Sequence, residues 1–375
     1  MAVKVPLKET ALNTERIVRI GREVQAVCPD FDAAGFVTSV MADLPRLKLG
    51  ARIARTSKGL HAHLPVTGPD AVDILLRSLP PTPEAAGVTN DFGLHLYAPH
   101  SDYVSRYLRT AEHLGQALAA LARITRYFSA ELPVRHFLTD FPDEAMKAID
   151  AWTRDEDFRV RRLASEATRP RLPWAPRITL PADAGMPVLE HLYDDTHLYV
   201  RTSVANHLSD IAATQPDLVL ATLQRWRESG RLTDEQFAFL ARNALRNQLK
   251  EGWPPAYAVL GYAHDAPLTL TPLTLDRTEL RYGDTLNFST TLTTTTTAPV
   301  HAMIVITTTG PDGRPREKVS FLRRATAKPS QELRLAKAHP LRSTGRWKFS
   351  PSSYSLALQI NGRRFPSAPF TVLDT

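Results

Sequence analysis

Phe158-Arg159-Val160-Arg161 is echoed forty residues later by Leu198-Tyr199-Val200-Arg201. Each copy follows an acidic turn, Asp155-Glu156-Asp157 before the first and Asp194-Asp195-Thr196-His197 before the second, and a short helical pattern precedes each turn. A weaker third copy, Phe239-Leu240-Ala241-Arg242, follows a further helix and the turn SGRLTDE. Helix pairs that recur at about forty residues form HEAT-like arrays. One such unit cannot bury its own apolar stripe, so neighbours must stack, and one helix of each pair then lines a concave surface. The Val-Arg helices are expected on that surface, with the others behind them.

The rest of the chain up to about Tyr262 also reads as helix. Ala117–Tyr127 is apolar and alanine-rich, Glu144–Trp152 and Pro187–Leu192 are short and amphipathic, and strand signals are scarce. Prolines at 65, 69, 80, 81, 83, 99 and 133 mark loops or helix starts. The character changes after Asp265. A threonine-rich run alternates with period two, Pro311-Asp312-Gly313 marks a turn, and Asn361-Gly362 between alternating segments signals a hairpin. About seven short strands are expected here, which points to an immunoglobulin-like sandwich. The fold class is thus multidomain: an all-α HEAT-like solenoid over residues 1–265, then an all-β sandwich over 266–375.

Charge separates the two parts. From Ala266 onward there are 15 Lys and Arg against 7 Asp and Glu, whereas the preceding residues carry 31 against 32. The whole surplus of the +7 chain therefore lies in its last third, which suggests a polyanion partner for that part or a domain that is simply basic. Cys28 is the single cysteine, so an intramolecular disulfide and a multi-cysteine zinc site are excluded. The N-terminus lacks the apolar core of a signal peptide, and no run of about eighteen apolar residues appears. A cytoplasmic, monomeric protein without membrane contact is expected.

The candidate chemistry lies in the repeat helices. Val160, Leu163, Ala164 and Ala167 form one packed stripe; Val200, Val204, Leu208 and Ile211 form the next. Arg162, Glu166 and Arg169 make a polar stripe at i, i+4 and i+7, and Asp210 follows Asn206 by four on the second helix. Glu166 and Asp210 would then face one groove. Surface ion pairing is the plain alternative. Glu131 stands at a proline-containing helix start, where dipole compensation would also explain it. Trp174, on a proline-rich loop, either plugs a gap or presents its face to a cation or an aromatic ring. Trp152 reads as core. The histidines match no metal-site spacing, and no glycine-rich phosphate loop occurs, so neither a metal nor a nucleotide cofactor is expected.

VRRLASEATRPRLPWA, DDTHLYVRTSVANHLSDI, ARNALRNQLKEGWPPAYAVLGY and LGARIARTSKGLHAHLP resemble the AlkC family of DNA alkylation repair glycosylases, HEAT-like repeat proteins related to the AlkD family. The likeness runs from about Leu44 to Tyr262. The trailing sandwich resembles the Ig-like domain of one AlkC subgroup. Two positions depart from the pattern: Ala167 replaces a glycine, and Trp253 stands where histidine is common. The resemblance implies excision of cationic methylated bases, chiefly 3-methyladenine, from double-stranded DNA without base flipping. It also implies roles: Glu131, Glu166 and Asp210 as functional carboxylates, Trp174 as the groove aromatic and Arg162 as the groove arginine. Further DNA contacts are expected from Arg161, Arg169, Arg171 and Arg201, and from the sandwich loops carrying Arg314, Arg316, Arg363 and Arg364. A non-catalytic scaffold and a damage-sensing DNA binder are the rival readings.

Overall fold

The computed structural model describes residues 5–343 and 347–374. Contacts divide the chain into two compact units, Met1–Ile211 and Ala212–Thr375. Among the described residues, no helix is long and apolar enough to cross a membrane.

The first unit is helical. It begins with α1 (Leu7–Ala11), α2 (Thr14–Val27), α3 (Ala33–Asp43) and α4 (Leu49–His63). Next come α5 (Gly68–Ser78) and α6 (Ala98–Tyr107), which hold Pro69 and Pro99 in their first turns, where a missing N–H costs nothing. The following helices are α7 (Leu114–Ile124), α8 (Glu131–Asp140), α9 (Pro142–Trp152), α10 (Phe158–Ala167), α11 (Met186–Leu192) and α12 (Leu198–Ile211). Helix α10 packs between α8 and α12, while α9 touches α7 and α11, so successive helices alternate between two rows.

The forty-residue echo has a local cause. Asp157 caps α10 by accepting from the Arg159 amide at 2.8 Å, and His197 accepts from the Tyr199 amide at 3.2 Å at the start of α12. Asp155 and Asp195 each brace their turn by accepting from the amide two residues on, both at 2.8 Å. The arginine of each Val-Arg pair then folds back on its own turn: Arg161 donates to the Asp155 carbonyl and Arg201 to the Asp195 carbonyl. Phe158 and His197 stack at 3.7 Å and join the two copies. The third copy sits differently, with Phe239 in the second turn of a helix that starts at Asp234.

The second unit opens with α13 (Pro216–Glu228), α14 (Asp234–Ala244), α15 (Arg246–Glu251) and α16 (Pro254–Ala258). Two sheets follow. In one, β4 (Thr285–Thr294) pairs with β1 (Leu268–Leu270), β2 (Thr274–Leu275) and β7 (Leu333–Pro340). In the other, the order is β3 (Glu279–Leu280), β10 (Ala368–Val372), β8 (Ser352–Ile360), β5 (Ala298–Thr309) and β6 (Pro315–Ala327), with β9 (Arg363–Arg364) beside β8. Three of these ten strands are two-residue pieces, and the remaining seven match the number read from the alternation. Val300, Ala302, Ile304 and Ile306 of β5 face the core between the sheets, with Leu286, Leu292 and Leu356.

The opposite face of β5 is covered by helix. The Tyr257 hydroxyl of α16 donates to the Leu249 carbonyl at 2.7 Å, and the buried Gln359 amide of β8 donates to both at 2.9 and 2.8 Å. The Asn361-Gly362 turn forms as the sequence suggests, with φ of 49° and 85°. It is not presented to solvent, because Asn361 is fully buried and donates to Ala263 and Pro299 carbonyls. Secondary structure therefore changes near residue 266, whereas compactness divides the chain between Ile211 and Ala212.

Candidate active site

Three helices of the first unit bring five charged side chains into one alternating chain. Arg162 of α10 lies 3.2 Å from the Glu131 carboxylate at the start of α8 and 3.5 Å from Glu166. Arg169, just past α10, lies 2.7 Å from Glu166 and 2.9 Å from Asp210 of α12. The order is Glu131, Arg162, Glu166, Arg169, Asp210: three carboxylates and two guanidiniums, with the buried Arg135 guanidinium close enough to act on all three carboxylates. The polar stripe does face α8 and α12, but it is not an open groove wall. Glu131, Arg162, Glu166 and Arg169 are buried, and Asp210 is the most open of the three carboxylates, with a side chain 11% exposed. Each cation satisfies two anions, so the groups desolvate together. Removing one member of a buried pair costs about 3–5 kcal/mol, several times the worth of a surface pair.

The carboxylates are set by their neighbours. Burial by itself would raise the Glu166 carboxyl, but Arg162, Arg169 and the Ser203 hydroxyl outweigh it and hold it below the ordinary glutamate value. Ser203 of α12 donates to Glu166 Oε2 at 2.7 Å, with Ser165 Oγ 2.9 Å behind it. At the other end, Ser129 donates to Glu131 and accepts from Arg162. Ser129 is placed by a backbone pairing in which its amide donates to Phe92 O at 3.2 Å and the Leu94 amide to Tyr127 O at 2.8 Å. Only glycine fits between: Gly93 has φ of 91°, and a Cβ there would stand 2.1 Å from Tyr127 O. His207, fully buried below α10, is pushed down to about 3 by burial and then by Arg169, so it stays neutral. It contacts the Ser165 carbonyl through Nδ1 at 3.0 Å.

Several contributors have no signature in the sequence. Arg135, one turn after Glu131 on α8, is buried and donates to the carbonyls of Ala167, Arg169 and Pro176 at 2.7–3.2 Å. It thus caps the end of α10 and pins the loop that carries Trp174, which is 57% exposed. Its spacing from Glu131 is visible in the sequence, but its acceptors lie 32–41 residues away. Tyr199 puts its ring 4.9 Å from the Arg162 guanidinium, and its buried hydroxyl has no hydrogen-bond partner among the described residues. Burial, offset in part by Arg162, pushes that phenol up to about 12.

The other arginines singled out from the sequence fall into two groups. Arg161 is held by Asp195 at 2.6 Å as well as by its turn, Arg201 by the Asp195 carbonyl, Arg363 by the Leu268 carbonyl, and Arg364 by Glu317 at 2.9 Å. Arg171, Arg314 and Arg316 are exposed, and Arg316 lies over the Trp347 ring. Among the described residues, no group of three His, Cys, Asp or Glu side chains could hold a metal ion.

Known proteins share this architecture. Residues 269–374 match the family described as "Uncharacterised protein YhaZ, C-terminal Ig-like domain". The chain is 33% identical over 281 residues to "Uncharacterized protein YhaZ" of Bacillus subtilis (strain 168), with 74% of each chain covered. It superposes on the Pseudomonas fluorescens alkylpurine DNA glycosylase AlkC bound to DNA containing an abasic site analog, with a TM-score of 0.88 and 30% identity. That match covers 99% of this chain and 100% of the other. With similarity of this extent through both the helical and the strand-rich regions, the chain belongs to the AlkC family, in the subgroup with a C-terminal Ig-like domain.

Proposed function

We propose that this protein is a monofunctional DNA glycosylase that removes cationic N-alkylated purines, chiefly 3-methyladenine, from duplex DNA without flipping the base. The observation that carries the reading is the buried charge chain, which fixes three carboxylates in a row and leaves Asp210 partly accessible. An N3-alkylated adenine is already positive, so its glycosidic bond breaks without protonation of the leaving base. Positive charge then develops on the sugar. Fixed carboxylates favour that charge and cost no reorganisation when it appears. Water adds to C1′, the C1′–N bond breaks with its electron pair going to the base, and the base leaves neutral. The water proton passes to a carboxylate or to solvent. Asp210, the most accessible of the three, is the group that orients the water. Arg162 and Arg169, each shared between two carboxylates, keep these groups ionised and in place rather than holding phosphates. Trp174 packs against the lesion or its sugar. Phosphate contact falls to exposed arginines: Arg171 near the site, and Arg314 and Arg316 on the basic sandwich.

The test is release of free base from methylated duplex DNA by the purified protein, read by mass spectrometry. Release of 3-methyladenine is expected, with no release of hypoxanthine or uracil, which are neutral and need leaving-group activation. Tight binding to methylated DNA without base release would overturn the glycosylase reading in favour of a damage-sensing binder.

A further inference from the structure

Ser203 and His207 stand one turn apart on α12, are both buried, and both meet the last turn of α10. Ser203 Oγ lies 2.7 Å from Glu166 Oε2 and 2.9 Å from Ser165 Oγ. His207 Nδ1 lies 3.0 Å from the Ser165 carbonyl, one of those at the end of α10 that have no partner within the helix. A carbonyl only accepts, so Nδ1 carries the proton and donates it. One turn further along both segments, Arg169 meets Asp210 at 2.9 Å. Ser203, His207 and Asp210 are spaced i, i+4 and i+7, so one face of α12 holds all three contacts.

Packing alone does not account for the imidazole. Its Nε2 is buried without a hydrogen-bond partner among the described residues, and such an orphan costs stability. Gly185 packs against that edge of the ring, where a Cβ would stand 2.7 Å from Nε2. A leucine would fill much the same space and leave no orphan nitrogen. What histidine supplies and leucine does not is the Nδ1–H donor to α10. We propose that Ser203 and His207 are positioning residues for base excision: Ser203 orients the Glu166 carboxylate, and His207 holds α12 at the height and rotation that bring Asp210 to Arg169. The proposal rests on the glycosylase reading above and adds two residues to the same site. Neither touches the reacting atoms, and the bond changes are unaltered. Their effect is geometric, because a carboxylate displaced by about 1 Å from the sugar loses much of its effect on the developing charge.

The experiment measures single-turnover release of 3-methyladenine from methylated duplex DNA by the full-length protein, with DNA affinity measured separately. His207→Leu should slow release by about tenfold or more and leave affinity within about threefold. His207→Asn, whose amide nitrogen can stand near the place of Nδ1, should recover the rate to within about threefold of wild type. A double-mutant cycle identifies the group through which His207 acts. In the Asp210→Asn background, His207→Leu should slow release by less than about twofold further, because the carboxylate it positions is already gone. Ser203→Ala provides a second, independent variant in case the leucine variant fails to fold, which circular dichroism would reveal. It should slow release by about tenfold and move the acid limb of the pH profile upward, since Glu166 loses a donor that, with Arg162 and Arg169, favours its ionised form. Losses from His207→Leu that add to those of Asp210→Asn overturn the proposal for His207 and leave the glycosylase reading intact. A wild-type rate and an unmoved acid limb in Ser203→Ala overturn it for Ser203. Release of no base by the wild type removes both readings.

Discussion

Glu166 and Asp210 differ in what their loss should do. Glu166 is buried between two arginines, so Glu166→Gln leaves Arg162 with Glu131 and Arg169 with Asp210, at a cost of about 3 kcal/mol or more in stability. Asp210→Asn touches the one partly accessible carboxylate and is the cleaner probe of chemistry. Each change should slow single-turnover excision by about tenfold or more, which is about 1.4 kcal/mol of transition-state stabilisation, with DNA affinity little altered. Wild-type rates in both variants would show that these carboxylates do not act on the sugar. A pH profile adds a second reading. Because the folded-state value of Glu166 is lowered, its charge and the stability it contributes are present above the ordinary value of 4.5 and are lost only as pH falls through the lower folded value. Any loss of activity from protonating Glu166 should therefore begin below pH 4.5, provided the protein is checked to be folded there. An acid limb of Glu166 origin at pH 5–6, one that Glu166→Gln abolishes, would contradict the geometry.

At the scale of elements, α8 does more than its sequence suggests. Its first residue is Glu131, and Arg135, one turn on, ties the end of α10 to the segment that bears Trp174. Charge-assisted hydrogen bonds of this kind contribute about 1.5–3 kcal/mol each. Arg135→Met should free residues 168–177 without removing a charge that contacts DNA. Trypsin should then cut faster after Arg171 and Arg177, both exposed on that loop. Excision should fall through kcat more than through DNA affinity, because Trp174 is no longer held at the cavity that Glu131 lines. Arg135→Lys, which keeps a donor, should recover part of the loss. Unchanged tryptic rates in the Met variant would show that the loop is held by other contacts, such as the buried Leu172.

At the scale of the molecule, the basic last third is the proposed clamp on DNA, and the structure decides how to test it. A cut after Asp265 falls inside the second unit and strips the sheet from Tyr257 and Leu249. A fragment ending there exposes a buried hydrogen-bond cluster, so the full chain is the proper subject. Reversing Arg364 breaks its pair with Glu317, and reversing Arg363 removes its bond to Leu268 O, so neither change reads DNA contact alone. Arg314, in the turn between β5 and β6, and Arg316, the second residue of β6, are both exposed and better placed. Arg314→Glu with Arg316→Glu should weaken binding to any duplex and lessen the dependence of log K on log salt by about 2, with little change in melting temperature. Fluorescence anisotropy across a salt series reads this directly. An unchanged slope would mean that the sandwich charge serves something other than phosphate contact.

Much of this protein is determined locally. The apolar stripe of α10, the acidic turns before α10 and α12, the prolines that open α5 and α6, and the Asn361-Gly362 hairpin each depend on residues within a turn or two of one another. They could be read from spacing alone. So could the helix-to-strand change near residue 266 and the pairing of Glu166 with Arg162 on one face. The tertiary structure decided everything that depends on what stands opposite. Arg161 and Arg201 stand at matching places in the sequence, and only the fold shows that each is also held by its own turn. Arg162, Glu166 and Arg169 look like a surface stripe until Glu131 and Asp210 arrive from α8 and α12 and let all of them desolvate. Arg135, Ser129 and the apolar cavity cannot be inferred from neighbours in the chain. The reason is physical: helical periodicity and capping act over a few residues, whereas the charge state and exposure of a side chain depend on groups brought close by packing. For the charge chain those groups lie 31 and 41 residues apart.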